Sequence, residues 1–229
     1  MNTILTRLSA ELIEKYESEG FWRGDTIYSL VRWNAEHKPN SFAVRDRFRR
    51  LTYRQLLAAA DTLAADLAAH GVRQGQRVGV WLPSRIESVV ALLACSKSGA
   101  ICCPSLHRDH TVGEVAELMQ RTRAVAFVWQ EGYGADADKR DFIDALKAAE
   151  TVKQVYRLKP LSETDQALFP GIVANGPAAN GLAASDFAVP VKTDPNQIVY
   201  LAFTSGTTGK PKGVMHSDNT LLANARQLA

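Results

Sequence analysis

"QIVYLAFTSGTTGKPKGVMH", residues Gln197 to His216, begins as an apolar run and breaks abruptly into glycines, hydroxyls and lysines. The first seven residues read as a buried strand. Beyond Phe203, Gly206, Gly209 and Gly213 permit tight curvature and leave amide N–H groups unobstructed, while Thr204, Ser205, Thr207 and Thr208 add hydroxyl donors. A concave row of N–H groups ringed by hydroxyls is a nest for phosphate oxygens. Lys210 and Lys212 bring positive charge beside it, and Pro211 stiffens the turn between them. The position matters as much as the composition, because ligands of open α/β sheets bind beyond the carboxyl ends of the strands.

Two better-known phosphate motifs do not fit. A Walker A loop needs four residues between its glycines and then Gly-Lys-Ser/Thr, whereas Gly206 and Gly209 enclose two and Lys210 precedes a proline. The GxGxxG dinucleotide fingerprint is absent. A plain linker would not need threonines, lysines and a rigid proline in this order after a strand.

Upstream, the chain alternates strand and helix patterns. Residues 5–18 read as a surface helix, and a second starts after Asp25, whose carboxylate is placed to cap Tyr28. "SFAVRD" and "RRLTY" read as two short strands, and the arginines Arg45, Arg47, Arg49 and Arg50 between them as a solvated hairpin. Without an aromatic ladder they make no nucleic-acid surface. Tyr53 to Ala69 repeats Leu56, Ala60, Leu63 and Leu67 on one helical face before Gly71. "RVGVWL", "AICC", "AVAFVW" and "VKQVYRL" read as strands, with helices expected from Ser84 and Glu87 as a capping box to Lys97, from Val112 to Gln120, and within Arg140 to Ala149. Trp81 and Trp129 close strand patterns and read as core. Strands separated by helices at this spacing predict an α/β fold, with mainly parallel sheets flanked by helices.

The divisions expected are an N-terminal helical extension (1–25), an α/β subdomain (26–159), an irregular linker or loop (160–195), and the start of a second α/β portion carrying the glycine-rich run (196–229). In 160–195 periodicity gives way to turn residues and small side chains.

Composition excludes several classes. With 229 residues, 46% hydrophobic, the chain can bury a sizeable core, and a formal charge of +3 gives no long-range field for nucleic acid or an anionic membrane. No secretory leader and no stretch of roughly 18 apolar residues is present, so a cytoplasmic location is expected. Cys95, Cys102 and Cys103 form no CxxC, which fits a reducing compartment. His107 and His110 stand three apart near Cys102 and Cys103, but Pro104 and the missing CxxC argue for an ordinary turn, and no metal site is assigned.

"YLAFTSGTTGKPKGVMH" closely resembles the signature loop of the adenylate-forming superfamily, which comprises acyl-CoA synthetases, adenylation domains of peptide synthetases, and luciferases. "LTYRQLLAAADTLAADLAAHGVRQGQRVGVWLPSRIESVVALLACSKSGAICCP" supports it, with Gln76 where the family usually has an acidic residue. "SLVRWNAEHKPNSFAVRD" and "CPSLHRDH" look most like alicyclic or medium-chain acyl-CoA ligases of the cyclohexanecarboxylate type.

The resemblance implies ATP, Mg²⁺, coenzyme A and a small carboxylic acid as reactants, or a carrier protein in place of coenzyme A. It implies β- and γ-phosphate contacts for Thr204, Ser205, Gly206, Thr207, Thr208 and Gly209, with Lys212 as the stabilising lysine. The family's histidine, five residues after the last glycine of the loop, is replaced by Asp218; its acyl-pocket role is not transferred, and His216 is left between pocket and packing. Ser217 reads as the cap of a final helix that is still amphipathic at Ala229. The resemblance therefore implies an N-terminal fragment, inactive alone, with the principal catalytic lysine further along. Its exposed apolar surface would invite self-association, so a homodimer stands among the expected partners. A non-catalytic relative retaining the loop is the remaining alternative.

Overall fold

Helices and short buried strands alternate along the chain, in the computed structural model that describes residues 9–104, 107–146, 151–164, 167–172, 189, 191–204 and 211–228. In chain order the helices are α1 (Ala10–Ser18), α2 (Ile27–His37), α3 (Tyr53–Ala69), α4 (Ile86–Ser98), α5 (Val112–Thr122), α6 (Phe142–Leu146) and α7 (Asp218–Gln227). The strands are β1 (Phe42–Arg45), β2 (Arg50–Thr52), β3 (Arg77–Trp81), β4 (Ile101–Cys103), β5 (Ala124–Gln130), β6 (Gln154–Leu158), β7 (Ile198–Thr204) and β8 (Lys212–Ser217).

Six strands form one sheet in the order β6-β5-β3-β4-β7-β8, and β1 pairs with β2 as a separate antiparallel hairpin. Within the large sheet all pairs are parallel except β7 with β8. The chain is thus an α/β protein with a mixed, mainly parallel sheet, and the strands on either side of 160–195 share it. Among the described residues of 160–195 there is no helix or strand.

The two sheet faces carry different cores. Leu56, Leu63 and Leu67 of α3 and Val90 and Leu93 of α4 pack with Val78 and Val80 on one side. On the other, Trp81, Phe127 and Trp129 meet Val115 and Met119 of α5 and Phe142 of α6. Burying each large aliphatic side chain contributes about 1.5–3 kcal/mol, so the apolar stripe of α3 alone accounts for much of its docking. The alternating four- and three-residue spacing of that stripe, with Ala60 between its leucines, is the strongest helical signal in the sequence, and Gly71 follows the helix in the left-handed region (φ 77°).

Local sequence signals mislead where two plausible caps stand close together or a charge is buried. The cap of α2 is Thr26, not Asp25: its hydroxyl accepts from Ser29 N, and Ser29 Oγ returns the contact to Thr26 N. Asp25 instead accepts from Arg226 of α7 at 2.8 Å. Ser84 and Glu87 make no capping box. Arg85 occupies the N-cap of α4 without a side-chain cap bond, and the carboxylate of Asp46 lies 3.4 Å from Ile86 N instead. Nor is the arginine-rich hairpin wholly solvated, since Arg49 is buried. Its guanidinium donates to both oxygens of Glu87 at 2.9 and 2.8 Å, and Arg85 donates to the same carboxylate at 2.9 and 2.8 Å.

Candidate functional site

The glycine-rich run spans the end of β7, the start of β8 and the residues between them. β7 enters the sheet beside β4 through the Cys102↔Tyr200 pair, so it points the same way as the parallel strands and ends, at Thr204, on their carboxyl edge. β8 returns antiparallel, and its register runs from Thr204↔Lys212 through Phe203↔Gly213 and Ala202↔Val214 to Ile198↔Ser217. Lys212 therefore opens a strand rather than continuing a loop. Thr204 and Lys212 face each other at the connected end of the hairpin, and both are exposed. Among the described residues no carboxylate pairs with Lys212.

Ser205, Gly206, Thr207, Thr208, Gly209 and Lys210 lie outside the described residues. Gly213 belongs to β8 and not to the turn. A Cβ there would stand 3.0 Å from Leu201 Cδ1 and 3.8 Å from Phe203 Cε1, so its missing side chain lets the two strands' residues pack. A hydroxyl and an ammonium facing each other beyond the carboxyl edge suit a polyphosphate, to which one donates a hydrogen bond and the other brings charge. The described residues contain no group of three His, Cys, Asp or Glu that could hold a metal ion.

The hairpin register distributes the remaining candidates. Tyr200, Ala202 and Thr204 of β7 share a face with His216, Val214 and Lys212 of β8. His216 is half-buried, with its ring 5.9 Å from that of Tyr200 in a T-shaped contact. Four strand positions separate it from Lys212, about 13 Å at the rise of a β-strand. It does not join Thr204 and Lys212.

Sequence reasoning missed Asp218. It is fully buried, and its two oxygens accept three hydrogen bonds: from Ile27 N at 2.9 Å, from Ser96 Oγ at 2.9 Å and from Lys192 Nζ at 2.6 Å. Lys192 is buried too, and its ammonium also donates to the carbonyl of Gln197 at 3.1 Å. Ser217 caps α7 as expected, accepting from Thr220 N. The one available clue was that an aspartate stands where the resembled family has histidine.

A second buried charge cluster, Asp46, Arg49, Arg85 and Glu87, lies toward the same sheet edge. Arg85 reaches Gln130 Oε1 at 2.7 Å and the carbonyl of Lys159 at 2.9 Å, at the ends of β5 and β6. Burial raises the carboxyl of Asp46, but hydrogen bonds from the Arg49 side chain and from the backbone N–H groups of Arg49 and Phe48 outweigh it and hold the pKa at about 2. For Arg49, burial works against the charge, while hydrogen bonds to Glu87 and Asp46 raise the pKa. His107 and His110 stack at 5.9 Å, and the His107 carbonyl accepts from Trp81 Nε1 at 3.0 Å.

Comparison with known proteins gives this geometry a context. Residues 31–229 match the family model described as AMP-binding enzyme. A medium/long-chain-fatty-acid–CoA/3-oxocholest-4-en-26-oate–CoA ligase of Mycobacterium marinum is 32% identical over 194 residues, covering 84% of this chain and 34% of the ligase. The phosphinothricin tripeptide synthetase PhsC of Streptomyces viridochromogenes is 30% identical over 190 residues, covering 83% of this chain and 15% of the synthetase. Among solved structures, apo MbtA of Mycobacterium smegmatis superposes with a TM-score of 0.74 at 30% identity, over 96% of this chain and 39% of MbtA. The chain thus spans about a third or less of these two curated relatives.

Proposed function

The chain belongs to the AMP-binding enzyme family, and from that premise we propose that it carries the phosphate-handling part of an ATP-dependent carboxylate ligase. The observation that carries this reading is the opposition of Thr204 and Lys212 at the carboxyl edge of the sheet, on the two strands that the glycine-rich run connects. In the reaction a carboxylate oxygen attacks the α-phosphorus of ATP, the bond to the β-phosphate bridging oxygen breaks, and pyrophosphate leaves. The thiol of coenzyme A then attacks the acyl carbon of the resulting acyl-adenylate, losing its proton as AMP departs.

Thr204, with Ser205, Gly206, Thr207, Thr208 and Gly209, donates to the β- and γ-phosphate oxygens, and Lys212 lowers the cost of negative charge building on the departing pyrophosphate. Lys210 adds field strength only. Mg²⁺ brought in with ATP would neutralise phosphate charge as a Lewis acid. His216, packed on Tyr200, supports the strand.

The acid proposed is alicyclic or medium-chain. Support comes from the sequence likeness to cyclohexanecarboxylate-type ligases and from the name of the Mycobacterium marinum relative, which is a medium/long-chain-fatty-acid–CoA ligase. Transfer to a carrier protein is the second reading, favoured by the similarity to a tripeptide synthetase. A cytoplasmic setting agrees with three free, buried cysteines. Among the described residues no helix is long and apolar enough to cross a membrane.

Carboxylate-dependent exchange of pyrophosphate into ATP by the intact polypeptide, with coenzyme A omitted, tests the reading. Exchange with alicyclic or medium-chain acids is expected. Its absence across alicyclic, medium-chain and aromatic acids, in folded protein supplied with magnesium, would overturn it.

A further inference from the structure

The ion pair between Lys192 and Asp218 lies at the opposite end of the hairpin from Thr204 and Lys212. Asp218 follows β8 directly, and the Gln197 carbonyl held by Lys192 Nζ directly precedes β7. The pair therefore bridges the open end of the β7–β8 hairpin. At that end the register shifts between Ile198 and Tyr200, where the ladder is interrupted by a bulge. β8 is also the last strand of the sheet, with no described strand on its outer side.

The anchor reaches further than the hairpin. Asp218 accepts from Ile27 N at the start of α2 and from Ser96 Oγ in α4, while Lys192 N donates to the Lys97 carbonyl at 2.7 Å. Asn219 N donates to the Pro195 carbonyl at 3.1 Å, and its side-chain amide donates to Asn196 Oδ1 at 2.9 Å. The end of β8 is thus tied to two helices and to the segment entering β7.

A buried ion pair adds little net stability over a well-packed apolar pair, because desolvation offsets the attraction; its best-attested use is to specify register. The side chains of Lys192 and Asp218 are 2% and 0% exposed, so the desolvation is nearly complete. A one-residue slip of β8 would turn Lys212 to the other face of the sheet, away from Thr204.

We propose that Lys192 and Asp218 are positioning residues: they lock the register of β8 and so hold Lys212 opposite Thr204 for phosphate handling. This rests on the ligase reading for its catalytic consequence but not for the lock itself. Neither residue touches the reacting atoms.

The test is the double variant Lys192→Met with Asp218→Asn in the intact polypeptide. The asparagine carbonyl can still accept from Ile27 N and Ser96 Oγ, and methionine fills the volume of the lysine stem, so the fold is retained while the charge lock is removed. Two measurements are made beside the thermal midpoint: amide hydrogen exchange across Gly213 to Ser217, and the kinetics of pyrophosphate exchange. The expected result is a near-native midpoint, about tenfold faster amide exchange in β8 with α4 unchanged, and about a tenfold fall in the pyrophosphate-exchange rate at saturating ATP with KM for the acid unmoved.

Unchanged protection of β8 overturns the lock, and lost protection with an unchanged exchange rate at saturating ATP overturns the positioning role. If the double variant does not fold, Ser96→Ala withdraws one of the three bonds to Asp218 and is read in the same two ways. A wild-type protein that exchanges with no acid counts against the ligase reading alone, since protection of β8 still decides the lock.

Discussion

Asp46 Oδ2 lies 2.6 Å from Arg49 Nη2, and the two side chains are 1% and 3% exposed. This contact carries a pH dependence. The Asp46 carboxyl is held at about 2 against an ordinary 3.8, a depression, so its contribution to stability is fully present above the unfolded value and disappears as pH falls toward 2. Urea midpoints measured from about pH 5 down to about pH 2 should decline steeply in the wild type, and more shallowly in Asp46→Asn. Parallel declines would remove Asp46 from the account of acid stability.

Glu87 neutralises two guanidinium groups at once, those of Arg49 and Arg85. Glu87→Ala leaves both buried and without that partner, a loss expected to reach about 3–5 kcal/mol in urea denaturation. Glu87→Gln keeps acceptor and donor atoms in place and should lose less. A change below about 1 kcal/mol in the alanine variant would mean that Asp46 and solvent compensate fully.

Gly79 of β3 lies under Phe127 and Met119. A Cβ at this position would meet Phe127 Cδ2 at 2.3 Å and Met119 Sδ at 2.5 Å. Both neighbours are buried in the aromatic core, so Gly79→Ala should cost about 1–3 kcal/mol by overpacking, read from the urea midpoint. Met119→Ala in the same background should recover part of it, whereas independent, additive losses would point to a backbone cause.

Lys212 is exposed and, among the described residues, has no carboxylate partner. Lys212→Ala should therefore leave the thermal midpoint unchanged and slow pyrophosphate exchange by about a hundredfold, with a smaller effect on ATP binding. Equal activity in a folded Lys212→Ala protein would assign the lysine to solvent.

Cys95, Cys102 and Cys103 are free and buried. A hydrogen bond with Cys95 together with burial pushes the Cys102 thiol up, and burial pushes Cys103 up. Thiol reagents at neutral pH should label none of the three in the folded protein and all three in urea. Prompt labelling of folded protein would show that the sheet around β4 opens on that timescale.

What could be read from sequence was what is written locally. The strands β3, β5 and β7 announced themselves as apolar runs, and α3 by the spacing of Leu56, Ala60, Leu63 and Leu67. β8 did not, because lysine and glycine at its start and a histidine near its end hide a six-residue strand behind the composition of a turn. The buried charges were illegible for another reason: Arg49 meets Glu87, and Lys192 meets Asp218, across separations that leave no periodic trace. Thr204 and Lys212 were both singled out in the sequence, but their direct opposition depends on a strand the sequence hid.

The direction of β8 also bears on the order in which the molecule assembles. Pairing β7 with β8 closes a connection of only a few residues, whereas β7 beside β4 joins Cys102 to Tyr200 across nearly a hundred positions of chain. Loop-closure entropy therefore lets the hairpin form on a microsecond scale, ahead of the long-range parallel contacts. The glycine-rich run would be born on a ready-made ribbon that docks late onto the sheet, so sequence changes that weaken the Thr204–Lys212 pairing should show themselves mainly in folding rates rather than unfolding rates.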